Sequence, residues 1–245
     1  MIEQTVELAT KHGATTTFIV HPERDAGYPA VLFFMDAPGI REELRDMARR
    51  IAAVGYYVML PNLYYRRGAM ELADLPKLPE AESRARMFEL MGSLSIPLVM
   101  DDAAALLDFA DRDPAASNGK IATLGYCMSG QYAISFAARY PDRVAAAASI
   151  YGVQLVTDQA DSPHLAAQKA KAELYFACAE HDPYAPLEMV EALDQTVKSK
   201  NLNAEVELYP GVHHGFAFPQ RPVYDKPAAE RHWERLFALW RRRLG

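Results

Sequence analysis

Cysteine is nearly missing from this 245-residue chain: there are only two, Cys127 and Cys178. A disulfide framework is therefore excluded as the organising device, and a reducing compartment, the cytoplasm, is the expected location. Excess positive charge is also missing. The formal net charge is −6, so a nucleic-acid partner is not expected, because a phosphate backbone demands clustered Lys and Arg. The one basic run, Arg241 to Arg243, reads as a solvated helix end placed favourably for the dipole. No apolar run approaches the ~18 residues of a membrane span, so no membrane partner is expected. The stretch Met1 to His12 carries Glu3 and Glu7 and no basic segment leading into an apolar one, so no secretory signal is expected. Metal-ligand spacing is missing as well. The neighbours Asp101 and Asp102 read as acids in the first turn of a helix, and neither a metal nor an organic cofactor is implied.

What the chain does contain is an alternation of strand and helix patterns. Pro29 to Met35 is an unbroken apolar run, as in a strand buried on both faces. Ile40 to Val54 has helical spacing, with Leu44, Met47, Ala48 and Ile51 on one face and Gly55 after it, a helix-ending residue. Tyr56–Leu60 is a second buried strand. Asp101–Phe109 reads as a helix, Ile121–Tyr126 as a strand, Gly130–Arg139 as a helix and Val144–Ile150 as a buried run. Leu174–Ala179 and Val206–Tyr209 read as two further strands. A last helix starts near Asp225 and Pro227 with the stripe Ala229, Trp233, Leu236, Phe237 and Trp240. The pattern predicts one α/β domain over residues 1–245, a mostly parallel, doubly wound sheet with helices on both faces. Residues 64–97, rich in charge and proline and helical from about Glu80 to Met91, read as a lid-like excursion. Ligands in such sheets bind beyond the carboxyl ends of the strands.

The informative segment is Gly125-Tyr126-Cys127-Met128-Ser129-Gly130. It follows a buried strand directly and precedes a helix directly. A nucleophile there sits on the sharp, strained turn of an α/β-hydrolase. The helix N-terminus favours a thiolate at Cys127, and the Met128 N–H is a candidate donor to an oxyanion formed beside it. Cys178 reads as a small buried residue. Ser129 is a rival nucleophile, but Cys127 and Gln131 stand where it would need glycines. In this fold the acid and then the histidine follow the nucleophile along the chain. Asp182 comes after the strand Leu174–Ala179, with Glu180 nearby, and His213 and His214 come after the strand Val206–Tyr209. Spacing does not choose between the two histidines. His12, His21, His164, His181 and His232 read as surface residues.

Taken together, Gly-Tyr-Cys-x-x-Gly at 125–130, Asp-x-x-x-Pro at Asp182–Pro186 and Tyr-Pro-Gly-x-x-His-Gly-Phe at Tyr209–Phe216 resemble the dienelactone hydrolase family. The likeness extends over nearly the whole chain. It implies hydrolysis of an ester or lactone through an acyl-enzyme, with Cys127 as nucleophile, Asp182 as acid and His214, the histidine before Gly215-Phe216, as base. It further implies Asp36 in place of a family glutamate that contacts the resting cysteine, and the Ala37 N–H as the second oxyanion donor. A family arginine matches Arg84. The position of a second family arginine falls on Phe218, with Arg221 a little further on. Phe34, Tyr64, Tyr65, Phe88, Phe216 and Phe218 are candidate pocket walls, and an anionic substrate would call on Arg84, Arg86 or Arg221. A small-molecule ester or lactone is the expected partner, and a monomer or small homo-oligomer the expected state.

Two readings compete. One is a non-hydrolytic ligand-binding or redox-sensing relative in which Cys127 responds to oxidants, although such a module has no need of a complete triad. The other is a glutamine amidotransferase-like enzyme using His232-Trp233-Glu234 as base and acid. Residues two apart on a helix point about 200° apart, so that pair does not converge on one thiol.

Overall fold

The computed structural model describes residues 1–23, 27–68 and 79–245. The chain divides into two compact units, Met1–Gly119 and Lys120–Gly245. In the first unit a hairpin of β1 (Ile2–Thr10) and β2 (Gly13–His21) leads into β3 (Ala30–Phe34), α1 (Glu42–Ala52) and β4 (Tyr57–Pro61). The strand order is β1-β2-β4-β3. The pairs β1/β2 and β2/β4 are antiparallel, and β3/β4 is parallel. Every residue of β3 and β4 is buried, which is why both read as continuous apolar runs rather than alternating ones. The buried face of α1 carries Leu44, Met47, Ala48 and Ile51, as the 3.6-residue period requires. Its Arg49 reaches β1 through two bonds to Glu3, of 2.8 and 3.0 Å.

The N-terminal hairpin is an addition to the sequence reading, which assigns no strand before residue 29. Ile2, Gln4, Val6 and Leu8 do alternate with Glu3, Thr5 and Glu7. Only Leu8 of β1 is buried, so the strand has little apolar contrast to announce it. After β4 comes a short 3-10 turn at Tyr65–Arg67. Part of the supposed excursion, residues 69–78, lies outside the described residues. Beyond it, α2 (Glu80–Gly92) buries only Leu90.

The next helix, α3 (Ile96–Ala110), begins five residues before the predicted start, with Ser95 accepting from the Leu98 N–H and Pro97 in its first turn. Asp101 and Asp102 therefore do not sit in a first turn. They also point to different partners. Asp101 takes Lys11 and His12 at 3.0 and 3.2 Å. Asp102, 1% exposed, takes Arg66 at 2.6 Å and the Tyr65 hydroxyl at 2.8 Å.

The second unit is built from β5 (Ile121–Tyr126), α4 (Gly130–Arg139), β6 (Val144–Ile150), the single turn α5 (Pro163–Ala166), β7 (Glu173–His181), α6 (Leu187–Ser199), β8 (Ala204–His213) and α7 (Lys226–Leu244). Its strands run in the order β5-β6-β7-β8, every pair parallel. Each residue of β5 is buried, so both faces are covered, with α4 and α7 packing against it. Asp225 caps α7 by accepting from the Ala228 N–H at 2.9 Å, with Pro227 in the first turn. The basic run at its end is not simply solvated: Arg242 and Arg243 both bind Glu173, at 2.5 and 2.6 Å. Among the described residues, no single helix is long and apolar enough to cross a membrane.

Candidate active site

The turn between β5 and α4 is as tight as the glycines of the motif suggest. Cys127 has φ +54°, a left-handed conformation that costs a non-glycine residue about 1–2 kcal/mol. The surroundings hold it there. A Cβ on Gly125 would lie 2.0 Å from the Ser129 carbonyl oxygen, and one on Gly130 would lie 2.2 Å from Ser149 Oγ and 2.7 Å from the Gly152 Cα. The Cys127 carbonyl accepts from the Val153 N–H at 3.1 Å, and the Gln131 side-chain amide donates to the Met128 carbonyl at 2.9 Å. Cys127 is 9% exposed at the tip of the turn, while Ser129 is 0% exposed behind it. That contrast favours the thiol over the serine as the group a substrate can meet.

Asp182 and His214 are the first residues after β7 and β8. The parallel pairing of those strands sets His181 opposite His213, which brings the next residue of each strand together. His214 Nδ1 lies 2.6 Å from Asp182 Oδ2. The other oxygen, Oδ1, accepts from the N–H groups of Tyr184 at 2.9 Å and Ala185 at 3.1 Å, so the carboxylate cannot rotate away. Burial works against the charged form of His214. The Asp182 hydrogen bond and the Cys127 side chain, acting by hydrogen bond and by charge, outweigh it, and the pKa is pushed up to about 9. With Nδ1 committed to Asp182, the nitrogen that meets Cys127 is Nε2. His213 is exposed and its ring lies beside His181, 5.1 Å between centroids, so the structure takes His214 and not His213 into the pair. Cys178 is buried, and burial pushes its thiol up to about 12, the signature of an inert cysteine.

The remaining site residues of the sequence reading fall in both units. Asp36 is 0% exposed and is held by Arg41, Nη1 to Oδ1 at 2.6 Å and Nη2 to Oδ2 at 3.2 Å. Arg41 also binds the buried Glu43 at 2.8 Å. Ala37 is buried, and its carbonyl accepts from the Tyr64 hydroxyl at 2.8 Å. Arg84 and Phe88 lie exposed on α2, with the guanidinium 5.7 Å from the ring centroid.

Phe216 and Phe218, expected as pocket walls, are both 0% exposed. Phe216 stacks on Tyr209, and Phe218 packs on Tyr126. Arg221 lies over Phe218 at 4.8 Å, and its Nη1 would be 3.0 Å from a Cβ on Gly215. It therefore packs beside the residue that follows His214.

Sequence reasoning misses several partners because burial is a tertiary property. His21 and His232, taken for surface residues, are 6% and 0% exposed, and His164 is half-buried. Glu234, by contrast, is exposed, so His232 and Glu234 do not converge. Tyr151, 1% exposed with φ +37°, stands edge-on to His214 at 5.0 Å, and Tyr184 does the same. Arg41 carried a usable signal, a cation five residues after Asp36 and two before Glu43. Among the described residues no three ligand side chains converge to hold a metal.

A parallel sheet, a cysteine on a strained strand-to-helix turn after β5, and an acid and a histidine at the ends of β7 and β8 define an α/β-hydrolase. Within that class the chain belongs to the dienelactone hydrolase family, whose model matches residues 15–244. Among curated relatives, a protein of Escherichia coli K12 is 28% identical over 227 residues, 91% of this chain and 80% of its own length; one of Synechocystis is 26% identical over 231 residues, covering 93% and 91%. Both carry the name "Putative carboxymethylenebutenolidase". Among solved structures, the dienelactone hydrolase-like promiscuous phosphotriesterase P91 from metagenomic libraries superposes with TM-score 0.81 at 19% identity, covering 100% of this chain and 99% of that one. The dienelactone hydrolase of Anabaena variabilis gives 0.70 at 16% identity, covering 100% and 99%. These likenesses show the shared fold, and the chain is a dienelactone hydrolase-like hydrolase.

Proposed function

We propose that the protein hydrolyses a small ester or lactone through a Cys127–His214–Asp182 triad and a thioester acyl-enzyme. The observation that carries this reading is the continuous link from Asp182 through His214 to a cysteine on the strained turn. With its pKa pushed up to about 9, His214 takes the Cys127 proton once substrate releases the thiol, which leaves a thiolate beside an imidazolium. The thiolate attacks the carbonyl carbon. His214 Nε2 then gives its proton to the departing alcohol oxygen, which in a lactone stays on the acyl chain. Neutral His214 next takes a proton from water, the hydroxide attacks the thioester, and the acid leaves as the thiolate returns.

The N–H groups of Met128 and Ala37 are the proposed oxyanion donors, each typically worth ~3 kcal/mol. Asp36 is proposed to restrain the thiol until substrate arrives, which its pairing with Arg41 makes dependent on release from that arginine. Arg84 and Arg221 are the proposed contacts for a substrate carboxylate, with Phe88 as an exposed apolar wall and Phe216 and Phe218 shaping the site from within.

The test is turnover of a p-nitrophenyl ester and of a simple unsaturated lactone. Activity disappears in Cys127→Ala and in His214→Ala on this account. Activity that survives both changes would contradict it and would leave Cys127 to a binding or redox role.

A further inference from the structure

We infer that the buried hydrogen bond between His232 and Tyr126 is a strut that sets the nucleophile turn against the His214 loop, which makes His232 a positioning residue. The inference rests on the triad reading above. Its evidence is separate, because neither residue belongs to the triad.

His232 lies on the inner face of α7 and is 0% exposed. Its Nδ1 contacts the Ala229 carbonyl, one turn back along the helix. A carbonyl can only accept, so Nδ1 carries the proton. In the neutral ring Nε2 is then an acceptor, and the Tyr126 hydroxyl, 2.9 Å away, is the donor. The backbone of α7 thereby dictates the tautomer, and the tautomer dictates which way the Tyr126 O–H points.

Tyr126 is the last residue of β5 and is joined by its peptide bond to Cys127. Its ring also touches Tyr151 at 5.7 Å and Phe218 at 5.3 Å. Tyr151 stands edge-on to His214 at 5.0 Å. Tyr126 thus reaches the sulfur through the chain and the imidazole through one intervening ring. A single hydrogen bond adds little net stability, and replacing both partners by apolar groups is often nearly neutral. What the bond adds that an apolar pair cannot is direction: a phenylalanine at 126 fills the same space but is free to slide in it. Because Cys127 sits in a strained conformation that its surroundings must over-determine, a small slide at Tyr126 is passed on to the sulfur. The groups that face His214, and so set how it titrates, are Asp182 and Cys127, with the rings of Tyr151 and Tyr184 on either side.

The experiment compares wild type with Tyr126→Phe, His232→Leu and His232→Gln, the last keeping an acceptor for the Tyr126 hydroxyl. Three quantities are read: kcat and KM for a p-nitrophenyl ester, the pH dependence of Cys127 alkylation by iodoacetamide, and the thermal midpoint. The expected result is a fall in kcat of about ten- to a hundredfold in Tyr126→Phe and His232→Leu, the scale of a ~1 Å misplacement. KM stays within about twofold, since uniform binding is untouched. The alkaline step of the alkylation profile moves to lower pH, and His232→Gln recovers most of both effects. Wild-type kcat and an unmoved profile in Tyr126→Phe would overturn the inference. So would losses that follow the thermal midpoint alone with no recovery in His232→Gln. If His232→Leu does not fold, Tyr126→Phe decides, since it removes a single oxygen. If wild type turns over no ester, the triad reading falls, while the alkylation profile still reports whether the strut orients thiol and imidazole.

Discussion

Replacing Asp182 by asparagine tests the acid's part in the site with little change of shape. In the native protein Oδ1 accepts from two backbone N–H groups, and Oδ2 faces His214 Nδ1. In Asp182→Asn the amide oxygen keeps the two backbone donors, so the NH2 group faces His214. Two donors cannot pair. Nδ1 must give up its proton and accept, and the proton moves to Nε2, where a neutral ring can no longer take one from water. The same replacement in a serine-protease triad lowers kcat about 10⁴-fold, and a fall in kcat/KM of about 10²–10⁴ is expected here.

The charge matters as well. The rise of His214 from its ordinary 6.5 to about 9 corresponds to ~3 kcal/mol of preference for the imidazolium. Asp182 and Cys127 are the two groups that produce it, so removing the carboxylate forfeits on the order of half, about one pH unit. The raised value means that the folded protein holds the proton more tightly than the unfolded chain. The stabilisation is therefore complete below 6.5 and is lost as pH rises through about 9. In Asp182→Asn that loss comes at lower pH, and the alkaline limb of ester turnover moves down with it. Activity and iodoacetamide alkylation measured across the alkaline range give the shift directly. An alkaline limb in Asp182→Asn that coincides with that of wild type would refute the reasoning.

Other predictions follow from the packing and the ion pairs. Gly125→Ala puts a methyl group 2.0 Å from a backbone oxygen that has no side-chain freedom to yield. It should cost at least ~1–3 kcal/mol with loss of ester turnover, measured by urea unfolding and activity. Arg41→Ala leaves Asp36 and Glu43, 0% and 5% exposed, without their shared cation. Destabilisation of ~3–5 kcal/mol is expected, and a urea midpoint equal to that of wild type would show that the pair contributes nothing. Glu173→Ala breaks two ion pairs as well, but both arginines are exposed, and a change of no more than about 1 kcal/mol is expected from the same titration.

The parts of the fold that can be read from sequence are those whose burial is extreme. β3, β4 and β5 are buried at every residue, and α1 and α7 carry clear apolar stripes. β1 is exposed along most of its length, so its period-2 signal is faint. α6, with only Val190, Leu193 and Val197 buried over 13 residues, escapes for the same reason. In the site, Cys127, Asp182 and the pair His213/His214 are readable because nucleophile, acid and base must each follow a strand, in a fixed order along the chain. Spacing leaves the two histidines equal, and the family resemblance picks His214 by the Gly215-Phe216 that follows it; the physical reason is the register of β7 and β8, which pairs His181 with His213 and turns the next residues toward each other. The pairing of Asp36 with Arg41 leaves only the local trace of a cation five residues on, and that of Tyr126 with His232, 106 residues apart, leaves none, because it exists only after the chain has folded.

The most direct test of the central claim is to trap the acyl-enzyme. Wild-type protein mixed with a slowly deacylating ester is quenched in acid, digested and examined by mass spectrometry. The account predicts the acyl mass on the peptide carrying Cys127, bound as a thioester that hydroxylamine removes, and absent from Cys127→Ala. An acyl group on Ser129, or full turnover by Cys127→Ala, would contradict it.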